Sequence, residues 1–217
     1  KFSWLFLPWI ICLISFFVNL IVGASLNEDD GFYTGGMTSI FGYVLVLGII
    51  ILPQTFSFTL GMGVRRTDYF LGTLATIVAT SAVTTVLLLL LGTVENDWLS
   101  GWGVGLHFFH LPFLNQGPVF MQALSFFTLL MTLFFIGFAI ACFFRKFGRL
   151  GLYALFTLLF LIFAFTPLLI SYYDRWDEIG RWVERNFHSM NDLTPWLLLL
   201  TALLALGSFG LLRRSTV

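Results

Sequence analysis

Six long apolar segments separated by short polar stretches make up this chain, at about residues 4–22, 40–60, 71–91, 119–144, 150–170 and 195–212. Each is long enough to cross a hydrocarbon core of about 30 Å, which takes about 20 helical residues. The pattern predicts an all-α polytopic membrane protein with six transmembrane helices in a single domain, residues 1–217. No remaining stretch is large enough for a soluble domain. One polar stretch, residues 172–194, has its own periodicity. Trp176, Ile179, Trp182, Val183, Phe187 and Met190 recur at three- and four-residue spacing, and Asp177 and Arg181 stand four apart on the polar side. That spacing predicts an amphipathic helix lying across one membrane face between helices five and six.

Polar punctuation within the apolar runs predicts finer features. Pro53-Gln54-Thr55 is expected to kink helix two and to place polar groups mid-span, where they need partners inside the protein. The first half of helix three, from Gly72 to Ala82, is rich in small and hydroxyl residues, which suits a close helix contact. Between helices three and four, Thr93 to Pro118 carries Trp98, Trp102, Gly101, Gly103, Gly105 and then His107-Phe108-Phe109-His110. This is too apolar for a free loop, and it is expected to lie on or dip into the membrane interface with its tryptophans at headgroup level. Arg145-Lys146-Phe147-Gly148-Arg149 joins helices four and five. No internal repeat is evident.

Composition agrees: 59% of residues are hydrophobic and 10% charged, against about 25% charged in a soluble domain. The charges are sorted. With the N-terminus inside and six crossings, Lys1, Arg65, Arg66, Arg145, Lys146, Arg149, Arg213 and Arg214 fall inside, and only Arg175, Arg181 and Arg185 fall outside. This positive-inside bias places both termini in the cytoplasm of a multi-pass cell-membrane protein, the cytoplasmic membrane in a bacterium. Of the acidic residues only Asp68 falls inside. Cys12 and Cys142 sit in apolar spans and read as packing residues. The first segment is longer than the about 7–15 residues of a signal-peptide core and reads as retained.

The absences narrow the chemistry. The centres of the six segments hold no Asp, Glu, Lys, Arg or His, which argues against ion-coupled transport and voltage sensing. Asn19, Gln54 and the hydroxyls of helix three read first as helix-packing hydrogen bonds. No phosphate-binding loop of the G-x-x-x-x-G-K-[ST] form is present, so the chain is not expected to hydrolyse ATP itself. Neither G-x-S-x-G nor H-E-x-x-H occurs. His107 and His110, near Glu95 and Asp97, are the one cluster with possible metal chemistry. No third ligand has suitable spacing, so interfacial histidines beside aromatics are the simpler reading, with no metal and no catalytic residue. The strongest local signal is the turn from Gly61 to Phe70. Glycines end helix two, Arg65 and Arg66 face water, and Thr67-Asp68 is expected to cap helix three. Val64, Tyr69 and Phe70 give the turn an apolar face suited to docking.

Taken with six spans, internal termini and the external amphipathic segment, the turn Leu60-Gly61-Met62-Gly63-Val64-Arg65-Arg66-Thr67-Asp68-Tyr69-Phe70-Leu71-Gly72 resembles that of the type-2 (ABC-2-like) exporter permeases. The resemblance covers essentially the whole chain. It implies a permease that pairs with a second permease chain, identical or homologous, above two separate ABC ATPase subunits that carry ATP and magnesium. It makes the turn a coupling helix, with Val64, Arg65, Arg66, Thr67, Asp68, Tyr69 and Phe70 as ATPase-docking residues. The family's amphipathic connecting helix is then expected upstream of Lys1. Aromatics make up 18% of the chain. A path past Asn19, Gln54, Phe134, Phe138 and Phe163 would suit an amphipathic or hydrophobic cargo such as a peptide, lipid or drug. Nucleic acid is not an expected partner. The competing readings are a non-transporting membrane protein, such as a sensor or assembly factor, and a membrane metalloenzyme built on His107 and His110.

Overall fold

The computed structural model describes residues 3–26, 32–99, 101–110, 114–115, 117–186 and 190–213. The described chain is all-α apart from one two-residue strand pair. In order it forms α1 (Ser3–Leu26), β1 (Phe32–Tyr33), α2 (Thr38–Gly61), α3 (Arg66–Thr93), two short π-helical turns (Val94–Trp98 and Gly101–Gly105), β2 (Leu106–His107), α4 (Val119–Tyr172), α5 (Trp176–Asn186) and α6 (Met190–Arg213). Five of these helices, α1, α2, α3, α4 and α6, are long and apolar enough to cross a membrane.

Two of the six predicted segments lie in α4, which is broken at Gly148 (φ 70°, ψ −165°). That backbone conformation is essentially restricted to glycine. The chain turns back there. Ile136, before the break, and Leu159, after it, line one cavity with Leu203 and Leu204 of α6. In an unbroken helix they would stand about 35 Å apart. The hydrogen bonds of α6 give the same answer. Ser125 Oγ lies 2.9 Å from Thr194 Oγ1, and Thr132 Oγ1 lies 2.7 Å from Thr201 Oγ1. Both pairs have a sequence offset of 69, so α6 runs parallel to residues 119–147. Residues 149–172 therefore carry the chain back between them.

The centre of the bundle is the α2–α4 crossing. A Cβ placed on Gly48 would sit 2.3 Å from the Phe134 carbonyl oxygen, and one on Gly137 would sit 2.2 Å from that of Leu45. The two backbones meet where neither has a side chain, the usual device for close approach in lipid. With α2 drawn onto α4, α3 packs on α4 and touches α2 only sparsely, although a short turn joins them. One aromatic core cluster lies toward the α2–α3 turn and includes Phe56, Tyr69, Phe70, Phe134, Phe135 and Phe138. The second lies toward the other end and includes Phe16, Met37, Leu106, Phe108, Phe109 and Phe126.

Several expectations need correction. Helix three begins at Arg66 rather than near residue 71, because the basic pair and the following aromatics already form its first turn. Its N-cap is Arg65, with no side-chain cap; the Thr67 hydroxyl instead points to Asp68 Oδ1 at 3.4 Å. Gln54 is exposed on the outside of the bundle rather than partnered inside it. In α5 the anticipated Asp177–Arg181 side-chain pair does not form. Arg181 Nε donates to the Asp177 carbonyl, and Arg175 pairs with Glu178. Phe187 and the Asn27–Gly31 loop lie outside the described residues.

Candidate functional site

The α2–α3 connection is only Met62 to Arg65, made possible by Gly63 in the left-handed region (φ 81°). Met62, Arg65, Thr67 and Asp68 are exposed, and Val64 is half-buried. The next two side chains turn inward. Tyr69 is buried, with its hydroxyl 2.8 Å from Thr55 Oγ1 of α2 and its ring edge-on to Phe56 at 5.0 Å. Phe70 is buried against Phe209 of α6 (5.2 Å) and Phe138 of α4 (6.3 Å). Arg66 Nη1 donates to the Arg213 carbonyl at 3.3 Å, tying the start of α3 to the end of α6. The Arg145 guanidinium lies 4.4 Å over the Phe56 ring. Arg66, Arg145 and Arg213, assigned to one side by charge sorting, thus share one end of the bundle. Tyr69 and Phe70 do not belong to the accessible face of the turn. They fasten it to three helices, and the surface itself consists of Met62 to Arg65 with Thr67 and Asp68.

The opposite end is covered by residues 94–99, 101–110 and 114–115. Gly101, Trp102, Gly103 and Gly105 all adopt positive φ, which coils this segment back into the bundle. Phe32 and Tyr33 pair in parallel with Leu106 and His107 and pin it to the α1–α2 connection. Leu106, Phe108, Phe109 and Leu114 are buried between helices. At its centre is Glu95, 0% exposed. Its carboxylate accepts from Trp102 Nε1 (2.8 Å), the Phe109 amide (3.0 Å) and the His110 amide (2.9 Å). A buried carboxylate is tolerated when its oxygens are met by N–H donors in this way. The segment packs inward on protein. Trp98 is exposed, whereas Trp102 is drawn in by Glu95 and by an edge contact with Phe16 at 4.8 Å.

The remaining candidates do not converge. Asn19 Nδ2 donates to the Ser15 carbonyl of its own helix. Phe134 and Phe138 are buried and stacked on each other at 5.8 Å, whereas Phe163 is 83% exposed on the outer surface of residues 149–172. His107 stacks on Tyr33 at 4.8 Å, and His110 Nδ1 lies 3.2 Å from the Asn115 amide. Glu95 is engaged by N–H groups, and among the described residues no three His, Cys, Asp or Glu side chains come together. Sequence reasoning placed Glu95 in an external loop and missed its role. The available signal was its position as the first acid after the apolar run of α3, with an indole seven residues on. No protein-family model, curated protein or solved structure matches this chain.

Proposed function

We propose that this chain is the membrane-spanning permease subunit of an ATP-driven exporter of the ABC-2-like class. It pairs with a second permease chain and receives its driving force from two separate ATPase subunits. In this reading the basic end is cytoplasmic, the chain crosses six times with both termini inside, and residues 94–115 close the external side. The chain itself carries no catalytic residue; ATP and magnesium belong to the ATPases. The observation that supports it is mechanical. A short, exposed, basic tip is continuous with two buried aromatics that grip α2, α4 and α6. Force applied at Met62–Arg65 has a rigid route into three helices, as a coupling element requires.

The test is co-purification from the native membrane through an affinity tag on this chain. A stoichiometric ATPase is expected with the wild-type chain and with Phe163→Ala, and is lost with Arg65→Glu plus Arg66→Glu. A chain that purifies free of any ATPase under mild detergent and after cross-linking overturns the reading.

A further inference from the structure

The sparse contact between α2 and α3 leaves a cleft that opens beside the turn and runs inward along α3. Its wider mouth, about 350 Å³, is lined by Val64, Asp68, Thr55, Thr59, Thr73 and Thr76. A narrower inner part, about 50 Å³, continues past Thr80 and Ser81 to Trp9 of α1, with Leu47 and Phe134 as apolar wall. Ile51, Thr73 and Thr76 belong to both, so the two are continuous. The mouth alone falls within the about 300–1,000 Å³ of ordinary small-molecule sites.

Five threonine hydroxyls of this cleft share one polarity. Thr55 donates to the Ile51 carbonyl (2.7 Å), Thr59 to Thr55 (2.9 Å), Thr73 to Tyr69 (2.9 Å), Thr76 to Gly72 (2.8 Å) and Thr80 to Thr76 (2.9 Å). A hydroxyl has one proton. With that proton given to its own helix, each threonine offers the cleft lone pairs only. Since the Thr55 proton goes to Ile51, the Tyr69 hydroxyl donates to Thr55 and is likewise left as an acceptor. The carboxylate of Asp68 completes the row at the mouth. Arg65 and Arg66 do not line it, and Arg66 reaches across to α6 instead.

We infer that this cleft binds an amphipath whose head carries N–H donors, a primary alkylammonium being the simplest case. The head lies among Asp68, Thr73 and Thr76, with the chain leaving the mouth past Ile51. A quaternary head of equal charge has no N–H to give and leaves the threonine oxygens unmet. An anionic head is repelled by the Asp68 carboxylate at the mouth. That the ligand is cargo rests on the permease reading above; that it binds does not.

The experiment uses the purified chain in phosphatidylcholine nanodiscs, with no ATPase present. The probes are a dodecyl primary ammonium carrying a chain diazirine and its N-trimethyl counterpart, with labelled peptides mapped by mass spectrometry. Labelling of α2 and α3 by the primary ammonium saturates. It exceeds that by the trimethyl probe about tenfold, the effect of about one charge-assisted hydrogen bond. Thr73→Val plus Thr76→Val lowers it to the trimethyl level, while labelling of the outer surface of residues 149–172 is unchanged. Equal labelling by the two probes, or labelling spread evenly over α2, α3 and residues 149–172, overturns the inference. The two-probe comparison on the wild-type chain decides even if the double variant fails to fold. Saturable, head-selective labelling of a chain that recovers no ATPase upholds the cleft and removes the permease reading; the opposite pair of results does the reverse.

Discussion

Where α2 meets α3, Met62 to Arg65 make the whole connection, and everything that follows is anchored by aromatic packing. Where α3 meets α4, residues 94–99 and 101–110 coil back into the bundle around a buried carboxylate. The first end exposes charge and buries aromatics beside it. The second buries charge and surrounds it with aromatics. A short tip held by ring contacts is stiff yet accessible, as a surface that receives a partner must be. A long segment held by the Glu95 contacts, the β1–β2 pairing and buried apolar side chains is closed, with Glu95 at its centre. On the permease reading proposed above, the first end transmits force and the second seals.

The largest effect is expected from Glu95→Ala. It strands the buried Phe109 amide and the part-buried Trp102 indole and His110 amide, so destabilisation of about 1–3 kcal/mol from the buried amide alone should appear in detergent unfolding. Limited proteolysis should then cut first within residues 94–110. An unchanged melting curve would break the comparison at its sealing end.

Phe70→Ala comes next. In the bilayer a separated helix exposes Phe70 to lipid as apolar as the core, so only the cavity is costly, and about 2 kcal/mol is expected. The same unfolding assay should show Phe163→Ala indistinguishable from wild type, because that ring faces outward.

Tyr69→Phe removes one hydroxyl between α2 and α3 while Thr55 keeps its bond to Ile51. The loss should be about 0.6 kcal/mol, the mean for such bonds between membrane helices. A loss as large as that of Phe70→Ala would mean that the hydroxyl rather than the ring fastens the turn.

Arg65→Glu should leave the melting temperature where it is, since the side chain is exposed. In the co-purification assay it should nevertheless reduce ATPase recovery. Destabilisation without that loss would make Arg65 structural and remove the distinction between tip and anchor.

Hydropathy made the apolar segments legible, and charge sorting made legible which basic residues share an end. The contacts among Arg66, Arg145, Phe56 and Arg213 agree with that sorting. The direction of side chains was not legible. Val64, Tyr69 and Phe70 look alike as apolar members of a polar turn, yet Tyr69 and Phe70 are locked inside because α3 starts five residues earlier than its apolar run. Residues 119–147 and 149–172 are similarly apolar, but only the first supplies the core. Its Ser125, Thr128, Thr132 and Gly137 are drawn into the bundle, whereas Gly151, Thr157 and Thr166 of the second are not buried.

By itself the sequence determined that the chain is helical and suited to lipid, that Gly148 can break a long helix, and that its charge is gathered by end. These follow from composition, period and local backbone freedom, each legible within a few residues of chain. Only the tertiary structure decided that Glu95 is an anchor, that the turn's aromatics are fasteners and that α2 leaves α3 for α4. Each depends on partners supplied from elsewhere in the chain: the amides of Phe109 and His110 for Glu95, Phe209 for Phe70, and Gly137 for Gly48. Side chains so far apart in sequence acquire a common environment only once the helices have packed.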